Sequence, residues 1–204
     1  TYQNGLFKID HNTGRFQQMD LPDPTSQNKP KIYSIVEDNN KQLWMGAMGA
    51  GIYKIDMKNL HVTSLPSYNG DLEYDLQKNA LFNNWVNCIY YSSNNKLYFG
   101  TYNGFGCIDI NTHDFVSTYG INQFLQGEVV YAIYEDRDKN IWIGTHNGLI
   151  KFNTQTQDFK SYTTDDGLPS NSIAAIKGDD NDNLWISTNY GVARFHTQSE
   201  NIVN

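Results

Sequence analysis

One short phrase recurs along this chain and constrains its fold more than any other feature. It reads Leu43-Trp44-Met45-Gly46, Leu97-Tyr98-Phe99-Gly100, Ile141-Trp142-Ile143-Gly144 and Leu184-Trp185-Ile186-Ser187. The aromatic anchors Trp44, Tyr98, Trp142 and Trp185 are 54, 44 and 43 residues apart. Twelve residues before each anchor stand Ile32, Val86, Val130 and Ile173, with Ile35, Ile89, Ile133 and Ile176 three residues further on. After each anchor a glycine closes a short turn, at Gly51, Gly104, Gly148 and Gly191, and an apolar segment follows. Self-similarity at a fixed period of this length means that one small structural unit is stacked several times.

Each unit reads as four short strands. Strand one is Ile32–Glu37 and its equivalents. An Asp- or Asn-rich hairpin turn follows, as in Asp38-Asn39-Asn40-Lys41 and Asp136-Arg137-Asp138-Lys139. Strand two carries the anchor. The turn Thr145-His146-Asn147-Gly148 is expected to place Asn and Gly at positive φ. Strand three and a further turn lead to strand four, around Phe159–Tyr162. The 14 Tyr, 10 Phe and 16 Gly suit strands joined by tight turns. A helical solenoid would need apolar residues at i, i+3, i+4 and i+7, which these units lack. The fold class is therefore all-β: β-propeller blades, each a four-stranded antiparallel sheet.

The phase of the repeat divides the chain. Residues 1–20 are the end of a blade, 32–65, 86–119 and 130–163 are full blades, and 171–204 is the start of another. Strand four of that last unit is expected only to begin, at Ile202-Val203. Because strand three occurs at both ends, closure into four or five blades is disfavoured. The expectation is an arc of about four and a half blades from a larger ring, excerpted from a longer protein. The linker 66–85 is longer than its counterparts, and residues 71–83 are the one place where a short helix is expected.

Within this scheme the four anchors pack between blades. Ser34, Cys88, Ala132 and Ala175 share one small-residue position on strand one, where space near the axis is tight. Cys107 takes a strand-three position held elsewhere by Lys8, Lys54, Lys151 and Arg194. Strand two separates it from Cys88, so no disulfide is expected between them. Asp179-Asp180-Asn181-Asp182-Asn183 lacks the glycine and distal Glu of a calcium loop. The five His residues are dispersed over different blades, and no metal or cofactor is expected. No Gly-x-Ser-x-Gly, phosphate loop or His-Glu-x-x-His is present, so no catalytic residue is assigned.

Binding is a different matter. The turn after strand two varies from blade to blade at a fixed scaffold position, as a binding face does. Tyr102, Asn103, His146, Asn147, Asn189 and Tyr190 offer aromatic surface beside amides there, a mix that suits sugar rings. The net charge of −7 argues against nucleic acid as a partner, and no apolar run is long enough to span a membrane.

The phrases Asp166-Gly167-Leu168-Pro169-Ser170-Asn171-Ser172-Ile173, Ile141-Trp142-Ile143-Gly144-Thr145 and Asn147-Gly148-Leu149-Ile150-Lys151-Phe152 resemble the two-component regulator propeller repeat. The resemblance covers nearly the whole chain. It weakens where Tyr98 replaces Trp, at Phe105-Gly106-Cys107, and where Ser187 replaces Gly. It implies a seven-bladed ring in the periplasmic sensor of a hybrid two-component histidine kinase, homodimeric at full length. It also implies an oligosaccharide ligand, a membrane reached only through the rest of the protein, and no catalysis in this segment. Two alternatives stand beside it. A propeller lyase or glycosidase would need clustered acids or a metal at the central channel, which the strand-one residues Tyr33, Asn87, Tyr131 and Ala174 do not supply. A protein–protein scaffold of the WD-repeat kind would carry Gly-His and Trp-Asp dipeptides, which are absent.

Overall fold

The computed structural model describes residues 6–19, 21, 30–65 and 83–204. The helix expected over 71–83 lies outside the described residues except for residue 83. The described residues form one two-stranded and four four-stranded antiparallel sheets. The two-stranded sheet pairs β1 (Leu6–Ile9) with β2 (Phe16–Met19). The first full blade is β3 (Lys31–Glu37), β4 (Gln42–Met48), β5 (Gly51–Asp56) and β6 (His61–Ser64). The second is β7 (Val86–Tyr91), β8 (Lys96–Thr101), β9 (Gly104–Asp109) and β10 (Phe115–Val116). The third is β11 (Val130–Glu135), β12 (Asn140–Thr145), β13 (Leu149–Asn153) and β14 (Phe159–Tyr162). The fourth is β15 (Ile173–Gly178), β16 (Asn183–Thr188), β17 (Gly191–His196) and β18 (Asn201–Val203). The fourth blade is thus complete: Asn201–Val203 pairs with Arg194–His196 as strand four.

Blades stack through their two faces. The first strands β3, β7, β11 and β15 touch in series, and strand two of each blade meets strand one of the next. Period-two alternation assigns the faces. Trp44 packs forward with Val86, Ile89, Leu97 and Phe99 of the second blade, whereas Met45 and Ala47 pack back toward Leu6 and Met19. The third seam joins Trp142 and Leu149 to Ile173, Ile186 and Phe195. The close fit of these seams explains the glycine two places after the first three anchors, a position that Ser187 takes in the fourth blade. A Cβ on Gly46 would lie 2.7 Å from Val86 Cγ1, on Gly100 2.4 Å from Val130 Cγ1, and on Gly144 2.6 Å from Ile173 Cγ2. Real Cβ atoms do not approach so closely, so a larger residue would push the blades apart.

The anchors are fixed by more than packing. The indole Nε1 of Trp44 donates to Asp38 Oδ2 at 2.8 Å, and that of Trp142 to Asp136 Oδ2 at 2.7 Å. Trp185 makes the same bond to Asp179 at 3.0 Å. Each acid sits six residues earlier in the hairpin turn, where its other oxygen accepts backbone N–H groups. Where Tyr98 replaces Trp, Ser92 replaces the acid and bonds within its own turn, to Asn94 and to Lys96 O. Three anchors are buried as expected, at 0% to 2% exposure, but Trp185 is 46% exposed. Its side of the fourth blade meets no further blade among the described residues.

A helix stands where none was expected. The seven residues of α1 (Tyr119–Leu125) insert Ile121 and Leu125 into the seam between the second and third blades. Strand four of the second blade is only two residues long, and α1 completes it. Asn122 Oδ1 accepts from Phe105 N at 2.9 Å, and Asn122 Nδ2 donates to Phe105 O at 2.7 Å. One side-chain amide thus serves both backbone groups that a longer β10 would have paired. The neighbouring departures from the repeat belong together. The Phe99 ring lies over Gly106, where a Cβ would come within 2.0 Å, and Tyr98 stacks on Phe105. Cys88 and Cys107 are both free. Burial pushes each thiol up to about 12, so neither is a ready nucleophile.

Candidate functional site

Strand one is regular except at one place in every blade. The register with strand two shifts between Ile32 and Ser34, between Val86 and Cys88, between Val130 and Ala132, and between Ile173 and Ala175. The bulged residues are Tyr33, Asn87, Tyr131 and Ala174. A bulge releases one residue from the ladder and re-aims its side chain. All four of these residues line one cleft of about 490 Å³.

The turn after strand two supplies a second column to the same cleft. Its form follows from a threonine. Thr145 Oγ1 donates to Gly148 O at 3.0 Å and accepts from Asn147 N at 3.0 Å. Thr101 and Thr188 repeat both bonds. This leaves the residue after each threonine free to face the cleft, and Tyr102, His146 and Asn189 do so. Gly148 has φ 140°, as expected, but Asn147 does not take a positive φ. The linker residue Ser172 closes the wall, with Oγ 3.4 Å from His146 Nδ1.

Of the six residues expected at a binding face, the structure therefore brings Tyr102, His146 and Asn189 together. The other three lie elsewhere. Asn147 donates its amide to Glu128, Asn103 donates its backbone N–H to Thr101 Oγ1, and Tyr190 is 83% exposed beyond the cleft. Sequence reading missed Tyr33, Asn87, Tyr131 and Ser172 as site residues. The signal was present as a variable column one place before the small residues Ser34, Cys88, Ala132 and Ala175. Without the bulge, that column reads as ordinary strand.

The chemistry of the cleft is uniform. Its lining combines three phenols, two amides, a hydroxyl and an imidazole, and none of the lining side chains among the described residues is Asp, Glu, Lys or Arg. Tyr33 Oη meets Met48 Sδ at 3.4 Å, and Asn87 Nδ2 donates to Val130 O at 3.1 Å. Such a surface can stack on apolar ring faces and exchange hydrogen bonds in both directions. It has no Lys or Arg among its lining residues to hold an anion. No group of three or more His, Cys, Asp or Glu that could hold a metal ion occurs among the described residues.

A model of the two component regulator propeller matches residues 80–103, 125–147 and 167–190. Three stretches of the chain match this family's repeat. Each matched stretch contains strands one and two of a blade and the following turn, the span that supplies the bulge and turn columns of the cleft. No curated protein matches the chain. Solved structures share its fold. The extracellular domain of a B. thetaiotaomicron protein described as a one component system superposes with a TM-score of 0.75 at 19% identity, covering 93% of this chain and 24% of its own length. The extracellular domain of a hybrid two component system from the same organism gives 0.73 at 24% identity, covering 98% and 25%. Virginiamycin B lyase from Staphylococcus aureus gives 0.66 at 20% identity, covering 97% and 61%. The chain spans about a quarter of the length of the two extracellular domains.

Proposed function

We propose that this propeller is part of the extracytoplasmic sensor of a two-component signalling protein, and that its cleft binds a neutral oligosaccharide. The observation that carries the reading is the cleft itself. Two scaffold columns, the strand-one bulge and the turn after strand two, bring aromatic and amide side chains from all four blades to one concave surface without a charged group. Supporting it, the repeat is that of a regulator family and the superposed B. thetaiotaomicron domains are extracellular. No helix among the described residues is long and apolar enough to cross a membrane, so signalling relies on other parts of the protein. In the full protein the signal passes to a cytoplasmic histidine kinase from a periplasmic sensor that works as a homodimer.

Titration calorimetry against neutral and acidic oligosaccharides tests this. A neutral member binds, and Tyr131→Ala weakens it about tenfold or more without lowering the melting temperature. Selective binding of acidic members, or unchanged affinity in the variant, refutes the reading. The likeness to a lyase, together with an imidazole in the cleft, supports a second reading as a propeller enzyme acting through His146. No lining carboxylate orients that imidazole, which favours binding over turnover. Mass spectrometry of bound oligosaccharides after prolonged incubation separates the two: the binding reading requires them intact.

A further inference from the structure

The columns that build the cleft continue past it. The linker position that Ser172 occupies in the fourth blade is held by Trp85 in the second. One backbone bond identifies the two as equivalent: Asn189 N donates to Ser172 O at 3.3 Å, and Tyr102 N donates to Trp85 O at 3.1 Å. Tyr102 lines the cleft on one side, and on the other it meets Trp85 edge to face, with ring centroids 5.0 Å apart at 83°.

Trp85 is not a loose surface residue. Its backbone N–H donates to Asn83 Oδ1 at 2.7 Å, and the carbonyl of Asn84 accepts from Gly51 N at 2.9 Å. The linker is thereby tied to the β4–β5 turn of the first blade and, through Tyr102, to the β8–β9 turn of the second. The indole lies against the first of these turns, where a Cβ on Gly49 would stand 3.4 Å from Trp85 Nε1. Even so, Trp85 is 42% exposed and Tyr102 41%. A large apolar ring held in one orientation and left half in water loses burial free energy that a free choice of sequence would recover. It also presents an aromatic face at no further ordering cost on binding.

We propose that Trp85 and Tyr102 form an outer aromatic subsite continuous with the cleft, which takes a further ring of an extended neutral glycan. The inference rests on the cleft reading above and adds that the site measures chain length. The test uses the full chain and the neutral β-1,4-glucan, β-1,4-mannan, β-1,4-xylan, α-1,4-glucan and β-1,3-glucan oligosaccharides of two to six units, titrated by calorimetry. Affinity for the series that binds should rise with length beyond two units. Trp85→Ala should lower the affinity for the tetrasaccharide by about five- to tenfold and leave the disaccharide unchanged, while Trp85→Phe keeps most of the gain. An unchanged tetrasaccharide affinity in Trp85→Ala overturns the outer subsite and leaves the cleft standing. So does an equal loss at both lengths, which would mark Trp85 as a structural residue. If no member of any series binds the parent protein, the cleft reading fails and this inference falls with it.

Discussion

Truncating Trp142 and Trp185 to Ala removes the same side chain, from the same strand position, with the same hydrogen bond, in two different surroundings. Trp142 is fully buried, with Phe195 at 5.0 Å, Tyr162 at 5.9 Å and the Lys151 ammonium 5.5 Å over its ring. Removing a large core side chain costs ~3–5 kcal/mol once the cavity is included. The loss of the indole N–H from Asp136 adds to that, because the acid is buried and a bond to a charged group is worth ~1.5–3 kcal/mol. Part of this is retained, since Asp136 Oδ2 keeps the Asn140 amide at 3.1 Å. The expected total for Trp142→Ala is about 5 kcal/mol, a large fraction of the ~5–15 kcal/mol that holds a typical domain. Trp185 is 46% exposed, belongs to none of the buried clusters and bonds Asp179 at an exposed site where water can replace the indole, so its truncation should cost ~1–2 kcal/mol. Urea unfolding followed by circular dichroism reads the difference as a gap between the two denaturation midpoints at a common slope. Equal midpoints for the two variants would refute the assignment of the anchors as seam residues.

Gly144→Ala should destabilise by ~1–3 kcal/mol, since the new methyl meets Ile173 Cγ2 at 2.6 Å. Ser187→Ala, at the same position in the fourth blade, should stay within about 0.5 kcal/mol in the same urea titrations. The Asp179 carboxyl is held below its ordinary range first by the Trp185 indole, and Glu200 is held low first by Lys160. Both folded values are depressed, so this stabilisation is present above the unfolded values of 3.8 and 4.5 and is lost as pH falls through the folded ones. Acid unfolding should therefore set in below about 4.5 and flatten in a double variant Asp179→Asn, Glu200→Gln. Phe16 and Ile9 at one end of the arc, and Val192 and Trp185 at the other, are 46% to 70% exposed. Sedimentation velocity on the chain should show concentration-dependent self-association, which Val192→Lys with Trp185→Lys reduces.

How much of this was legible in the sequence depends on the range of the interaction. The four-strand unit was legible because alternation and turn residues are local, and every strand two lies where the anchor phrase places it. The glycine two places after three of the anchors was visible as a repeat, but its cause, a β-branched residue from the next blade, is a contact across 29 to 40 residues. The acid six places before each Trp was also in plain sight, yet the turn alone accounts for an Asp there, and the indole bond emerges only when the hairpin folds. The helix α1 has neither a side-chain cap nor an acidic first turn. Its signal was the pair Ile121 and Leu125, too short a pattern to stand out. The cleft was half legible. Variable turn residues gave Tyr102, His146 and Asn189, but the bulge that re-aims Tyr33, Asn87 and Tyr131 depends on inter-strand register. Nor does sequence distinguish a turn side chain facing the cleft from one bonded to Glu128.

The central claim is that the bulge and turn columns of successive blades make one ligand surface. Hydrogen–deuterium exchange of the chain with and without a bound neutral oligosaccharide tests it most directly. The account predicts protection at the starts of β7, β11 and β15, around Asn87, Tyr131 and Ala174, and in the turns holding Tyr102, His146 and Asn189. Protection confined to the outer strands β6, β14 and β18, with the strand-one bulges unchanged, would contradict it.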